Sequence, residues 1–242
     1  KEPRAKPYIK RLIGAAEFIN NKKRWCLWLV GITPSELRSM PLVHQRVEAC
    51  RQDRENAPDA GRRKLAERPT QFRETNNPDT FIVVPAVSSE RRKYVPIGFL
   101  DKNTIATNLV ITIPNANLYH FGVLTSNVHM AWMRAVCGRL KSDYRYSKDV
   151  VYNNFPWPTP TEEQKAKIER TAQAILDARA LYPDSSLADL YDEVTMPPEL
   201  RKAHQENDKA VMRAYGFDIK TTTETSCVAE LMRRYQELVE RG

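Results

Sequence analysis

A chain of 242 residues, 41% hydrophobic and 28% charged, can fill a real core, which excludes a disordered polypeptide and suits one large domain or two smaller ones. No apolar run approaches the ~20 residues that span a bilayer, and no charged-then-apolar leader opens the chain. The net charge of +8 is unevenly spread: residues 1–160 hold 26 Lys and Arg against 14 Asp and Glu, whereas residues 161–242 are net acidic.

A basic block followed by an acidic one predicts two surfaces, the first suited to a polyanion. A solvated basic surface without a partner is the alternative reading. The chain begins at Lys1 rather than Met, which reads as a piece of a longer polypeptide. Cys26, Cys50, Cys137 and Cys227 form no CxxC pair and stand at no ligand spacing from a histidine. They read as thiols of a reducing compartment, so the expected location is cytoplasmic and no metal site is expected.

Along the chain, Arg24–Val30 is an apolar run ended by Gly31 and predicts a buried strand. Thr33-Pro34-Ser35-Glu36 has the cap, the proline and the early carboxylate of a helix start. A helical pattern follows from Pro41 to Arg54, broken by Asn56–Gly61. Three strands are predicted over Thr80–Val87, Tyr94–Leu100 and Thr104–Ile113, joined as an antiparallel meander with a polar tip at 88–93. Leu118–Arg139 reads as helical, with Ser126 capping its second part. Lys141–Pro158 reads as irregular, and the alternating prolines of Phe155–Pro160 end the first unit.

Beyond that point Thr161-Glu162-Glu163-Gln164 is a capping box. A second helix is expected from about Pro198 to Tyr215, closed by Gly216, and a third from about Glu224 to Glu240. The expected fold is therefore α+β: a mixed or antiparallel sheet with flanking helices over residues 1–158, then an all-α region over 159–242. The acidic helices are expected to pack on the first unit or to dock a catalytic partner.

The tip carries the clearest chemistry. Arg pairs bidentately with guanine and Glu accepts from the cytosine amino group. On an extended strand Glu90 and Arg92 would share one face and could read a G·C pair, with Arg91 and Lys93 turned toward phosphate or solvent. A charged tip that only keeps the sheet soluble is the competing reading. Candidate phosphate contacts are Lys22, Lys23, Arg24, Arg62, Arg63, Lys64, Arg73, Arg139, Lys141, Arg145 and Lys148.

Other motifs carry less. Asn77-Pro78-Asp79-Thr80 lacks the second proline and the stacking aromatic of an amino-methyltransferase box, and reads as a turn. Neither Pro58-Asp59 nor Pro78-Asp79 leads into a metal-nuclease strand. His204 and Asp208 stand at i, i+4 and read as a local side-chain pair. No Gly-rich phosphate loop is present.

The strings Phe18-Ile19-Asn20, Arg24–Leu29, Val84–Glu90, Tyr94–Phe99, Arg145-Tyr146-Ser147 and Val151–Pro158 together resemble the C-terminal part of MmeI-like bifunctional restriction–modification enzymes. The resemblance implies a target-recognition domain followed by a helical region. It implies double-stranded DNA as partner, with base-specifying side chains in the polar turn after the Ser-Ser pair. Here those are Glu90 and Arg92, with Arg91, Lys93, Ser88 and Ser89 in the same turn.

The resemblance further implies that this stretch is non-catalytic. An upstream adenine-N6 methyltransferase domain of the same polypeptide would hold S-adenosylmethionine, and a nuclease domain, where the polypeptide carries an active one, would hold Mg²⁺. The rival expectations are a basic module for RNA or an acidic protein, and a catalytic nuclease or methyltransferase fragment.

Overall fold

The computed structural model describes residues 2–241. Its strands are β1 (Ile9–Ile13), β2 (Trp25–Leu27), β3 (Thr80–Pro85), β4 (Val87–Ser88), β5 (Gly98–Asp101), β6 (Thr104–Ala106), β7 (Val110–Pro114), β8 (Gly138–Leu140) and β9 (Asp143–Arg145). The α-helices are α1 (Ala15–Ile19), α2 (Pro34–Arg38), α3 (Pro41–Glu55), α4 (Ala60–Lys64), α5 (Leu118–Leu124), α6 (Asn127–Val136), α7 (Glu162–Ala180), α8 (Leu187–Leu190), α9 (Pro198–Tyr215) and α10 (Glu224–Arg241). The fold is mixed α and β with small antiparallel sheets and an all-helical C-terminal stretch, as the sequence pattern indicates.

Two compact units share the chain. The first takes the chain up to Leu12, Lys23–Pro78 and Lys102–Ile105; the second takes Ile13–Lys22, Asp79–Asp101 and everything from Ala106 onward. The second unit thus includes both the strands around the tip and all the helices beyond residue 158.

In the first unit β1 lies between β2 and β6, with Lys10 opposite Cys26. Its core is Ala5, Leu29, Met40, Val43 and Val47, with a second cluster of Leu12, Trp28 and Ile105. The strand expected over 24–30 is shorter: β2 ends at Leu27, Trp25 is 60% exposed, and Trp28 and Leu29 turn into the core before Gly31 at φ +82°.

Helix α2 starts where its capping box places it. The Thr33 N–H donates to the Glu36 carboxylate at 2.8 Å, and the Glu36 N–H donates to Thr33 Oγ1 at 3.2 Å. Helix α3 has no side-chain cap at Met40. The Glu2 carboxylate serves instead, accepting from the Leu42 and Val43 N–H groups at 2.7 and 3.0 Å. An apolar groove of about 750 Å³ between β2 and the start of α3 holds none of the residues expected to touch DNA.

In the second unit β3 is the central strand, flanked by β5 and β7 and antiparallel to both. A meander would have put the second predicted strand in the middle. It does not form because Tyr94–Ile97 adopts no strand, and because the third segment breaks at Thr107–Leu109. There the Val110 N–H donates back to the Thr107 carbonyl at 3.2 Å. Strand β3 reads as continuously apolar because it is covered on both faces. Ile82 and Val84 enter the large helical core, while Phe81 and Val83 pack with Ile13 and Val110.

The stretch expected to be irregular supplies the turn and second strand of a hairpin, β8–β9, whose first strand takes Gly138 and Arg139 from the predicted helix, and β9 also pairs with β4 in a second small sheet ordered β4–β9–β8. The predicted Leu118–Arg139 helix is two helices. Ser126 ends one turn and caps the next, accepting from the His129 N–H at 3.3 Å. Helix α7 opens on the Thr161–Gln164 box and α9 closes on Gly216 at φ +76°. Phe155 is buried edge-on to His129, and the Tyr215 hydroxyl donates to the Pro156 carbonyl at 2.8 Å, so this aromatic–proline stretch is a packing element.

Helices α5, α7 and α9 converge on Gly122. A methyl group there would meet Ile168 Cγ2 at 2.6 Å, Ala172 Cβ at 3.1 Å and Asn207 Oδ1 at 3.1 Å. The Gly122 carbonyl also accepts from Asn207 Nδ2 at 2.7 Å. Gly122→Ala should therefore overpack the junction and cost about 1–3 kcal/mol. Urea unfolding, comparing midpoints at unchanged slope, measures that loss.

Candidate nucleic-acid interface

The tip begins where β4 leaves the small sheet. In β4, Val87 is opposite Arg145 and Ser88 opposite Tyr144; on the far side of β9, Arg139 is opposite Tyr144 and Leu140 opposite Asp143. This register brings the 88–93 segment beside the β8–β9 hairpin, 50 residues further on in sequence. Arg139, Lys141 and Arg145 are therefore neighbours of the tip through strand pairing, which the sequence alone did not reveal.

Residues 89–92 form a tight turn, not an extended strand: the Arg92 N–H donates to the Ser89 carbonyl at 3.1 Å. Alternation of side chains therefore does not apply, and the shared face expected for Glu90 and Arg92 is not formed. Glu90, Arg91 and Lys93 are exposed, whereas Arg92 is half-buried. Its Nε is shut off from solvent without a hydrogen-bond partner. Burial lowers the Arg92 pKa, and the negative charges of Asp143 and Asp192 oppose that shift. Ser88 is 3% exposed with an unpartnered Oγ; it lies beneath the turn and cannot meet a base edge in this conformation. Ser89 Oγ accepts from the Arg91 N–H at 3.3 Å.

On the hairpin the Arg139 guanidinium lies 4.0 Å over the Tyr144 ring and donates to the Ser142 carbonyl at 2.8 Å. Its Nη1 is 3.7 Å from the Glu90 carboxylate. Lys141 occupies the turn with φ +57°, a left-handed conformation that costs a non-glycine residue roughly 1–2 kcal/mol. Lys141, Arg145 and Lys148 are exposed, Lys148 at 3.9 Å from Asp149. Lys22 belongs to this same unit and is exposed.

The remaining basic candidates lie in the first unit. Lys23, Arg24 and Lys64 are exposed. Arg62 is paired with Asp53, and Arg73 is 3.7 Å from Asp59. Arg63 donates to the Ala57 and Pro58 carbonyls at 2.9 and 2.7 Å. Arg63 is thus engaged in closing the end of α3, which accounts for it without a phosphate.

The tip is anchored on its descending leg. The Lys93 carbonyl accepts from Arg134 Nη1 at 3.3 Å, and Arg134 is held in turn by Glu224 at 2.7 and 3.0 Å. The Tyr94 hydroxyl donates to Asp208 at 2.6 Å and its ring stacks on His204 at 4.2 Å. The Val95 N–H meets Met130 Sδ at 3.4 Å, and the Ile97 carbonyl accepts from Arg179 at 2.7 Å.

His204 and Asp208 therefore do not form the local pair that their spacing suggests. His204 Nε2 is 2.7 Å from the Tyr191 hydroxyl, and the second Asp208 oxygen accepts from the Asn127 N–H at 2.8 Å. Burial holds His204 neutral by lowering its pKa, and pushes the Asp208 carboxyl up to about 6 against the pull of its hydrogen bonds. Among the described residues no group of three or more His, Cys, Asp or Glu is placed to hold a metal, and no helix is long and apolar enough to cross a membrane.

Two family models match the chain, and their limits differ from those of the two compact units. The family model of the MmeI target recognition domain matches residues 1–159, and that of the MmeI C-terminal domain matches residues 160–241. DNA methyltransferase A of Bacillus subtilis (strain 168) is 42% identical over 242 residues, which is 100% of this chain and 27% of that protein. The structure of the Type IIL restriction-modification enzyme MmeI in complex with DNA matches with a TM-score of 0.94 at 47% identity, covering 99% of this chain and 32% of that one. The chain thus spans about a third or less of the length of these relatives.

Asp208 gives the anchor a pH signature. Between about pH 4 and pH 6 the unfolded chain has released this proton and the folded chain keeps it, so stability falls as pH rises through that window, by on the order of 3 kcal/mol. Asp208→Asn can still accept from Asn127 and bond the Tyr94 hydroxyl, but has no proton to lose. Urea midpoints measured at the two ends of the window should differ less in the variant than in the unmodified chain.

Proposed function

The chain belongs to the MmeI family, spanning its target recognition and C-terminal domains, and from that premise we propose that it reads the sequence of double-stranded DNA and is not itself catalytic. The observation that carries the proposal is the pairing of β4 with β9. It sets the 88–93 turn, with Glu90, Arg91 and Lys93, beside the β8–β9 hairpin that carries Arg139, Lys141 and Arg145, and Asp143 of that hairpin acts on Arg92. Cations around a hydrogen-bonding tip supply both halves of recognition: phosphates are gripped without regard to sequence, and base edges are distinguished by donors and acceptors.

In this reading residues 1–158 are the recognition domain and residues 159–242 its helical support. Glu90 and Arg92 are the base readers, helped by Ser89, Arg91 and Lys93. Arg92 reaches a base only if the turn opens on DNA, which would free its stranded Nε. Phosphate contacts fall to Lys22, Lys141, Arg145 and Lys148, and to Lys23, Arg24 and Lys64 of the first unit. The chain offers S-adenosylmethionine no Gly-rich loop and no Asn-Pro-Pro-aromatic box. Methyl transfer to adenine, and any Mg²⁺-dependent cleavage, would belong to other parts of the polypeptide, in the cytoplasm.

Selection of bound duplexes from a randomised pool by the full-length polypeptide tests the proposal. Arg92→Ala should cost about 1–3 kcal/mol of discrimination at a single base-pair position. An unchanged preference at every position would remove Arg92 from the readers. Lys141→Ala should weaken binding to all sequences alike and reduce the slope of log K against log salt by about 0.9. A preference for RNA or an acidic polypeptide over duplex DNA across the same salt series would overturn the DNA reading itself.

A further inference from the structure

We infer that Arg139 is a positioning residue that sets the direction of the Glu90 carboxylate, and that the two residues specify one base pair jointly. The inference rests on the reading above, in which the 88–93 turn meets bases, and adds to it a residue on a different element with a different role. From its place in the sequence, Arg139 would be one more phosphate contact. The structure gives its guanidinium three neighbours instead: the Ser142 carbonyl at 2.8 Å, the Tyr144 ring at 4.0 Å and the Glu90 carboxylate at 3.7 Å.

The first two contacts lie within the β8–β9 hairpin and fix the planar group before anything binds. The third reaches across to the tip. Arg139 and Tyr144 are opposite one another in the hairpin, and Tyr144 is opposite Ser88 in β4. The ladder that holds Arg139 is therefore the one from which the tip departs, so strand register brings Arg139 up to the turn that carries Glu90.

Such a device has a physical purpose. Glu90 is followed directly by Arg91, Arg92 and Lys93, any of which could draw its carboxylate away from a base edge. The Glu90 and Arg139 side chains are 49% and 45% exposed, so their attraction adds little to stability. Its effect lies in orientation. One carboxylate oxygen faces the fixed guanidinium, and the other is left to accept from a cytosine amino group. Lysine at 139 would keep the charge but lose the flat fork and the stacking on Tyr144.

The test is duplex selection with the full-length polypeptide carrying Glu90→Gln, Arg139→Ala, both together, or Arg139→Lys. Glu90→Gln and Arg139→Ala should each lower discrimination roughly tenfold at the same base-pair position and leave other positions unchanged. The double variant should be no worse than the weaker single one, as expected for residues acting as a unit, and Arg139→Lys should fall between. If Glu90→Gln shifts one position while Arg139→Ala only weakens all sequences evenly with a shallower salt slope, Arg139 is a phosphate contact and the inference is lost, though the tip still reads. If neither variant alters any preference, the tip is not a reader and both ideas fall.

Discussion

The tip depends on how a buried segment without a strand partner satisfies its polar groups. The leg Lys93–Ile97 descends from the turn into the core, with Tyr94, Val95 and Ile97 buried, and forms no ladder until β5 begins at Gly98. Buried backbone groups must nevertheless be paired. Side chains from three helices take the place of a neighbouring strand: Arg134 and Met130 of α6, Arg179 of α7, and His204 and Asp208 of α9 acting through Tyr94. The turn at the end of an otherwise free leg is thereby held by rigid elements.

The same helices are fastened to one another by polar contacts in an apolar surround. Asn207 donates to the Gly122 carbonyl of α5 and accepts from Thr171 of α7, while Arg179 and His204 meet at the Tyr191 hydroxyl. Burying an amide, an imidazole and a carboxylate on one helix is unfavourable unless each finds partners. Those partners come from α5, α6, α7, the tip leg and Tyr191, so the packing of these helices is tied to meeting them together. The acidic C-terminal region is accordingly continuous with the core beneath the tip.

Much of this architecture was legible in the residues. The boxes at Thr33 and Thr161, the cap at Ser126 and the glycine at 216 placed helix ends because they act through bonds three or four residues apart. What was hidden depends on long-range pairing. Tyr94–Leu100 has strand composition, yet its first half is taken over by helix side chains. The β8–β9 hairpin was concealed in a polar stretch because its turn residue is Lys141, not the glycine or asparagine that usually marks one. The tip stands out in the sequence as a polar knot between apolar runs. The alternation of Glu90 and Arg92 was not realised, since a single hydrogen bond from Arg92 to Ser89 curls the segment. Arg139 could not have been linked to Glu90 at all without knowing that β4 pairs with β9.

One feature of the core bears on how such proteins could change their target. The stretch that contains the tip and the helices that brace it occupy one compact unit, although a proline-rich joint separates α7 and α9 from the tip along the chain. Transplanting the first 158 residues alone onto another member's scaffold would place Tyr94 against an unfamiliar α9 and leave a carboxylate or a hydroxyl stranded. On the proposed reading, a new specificity follows from replacing the few solvent-facing side chains of the turn and the adjoining hairpin, on a foundation that stays the same.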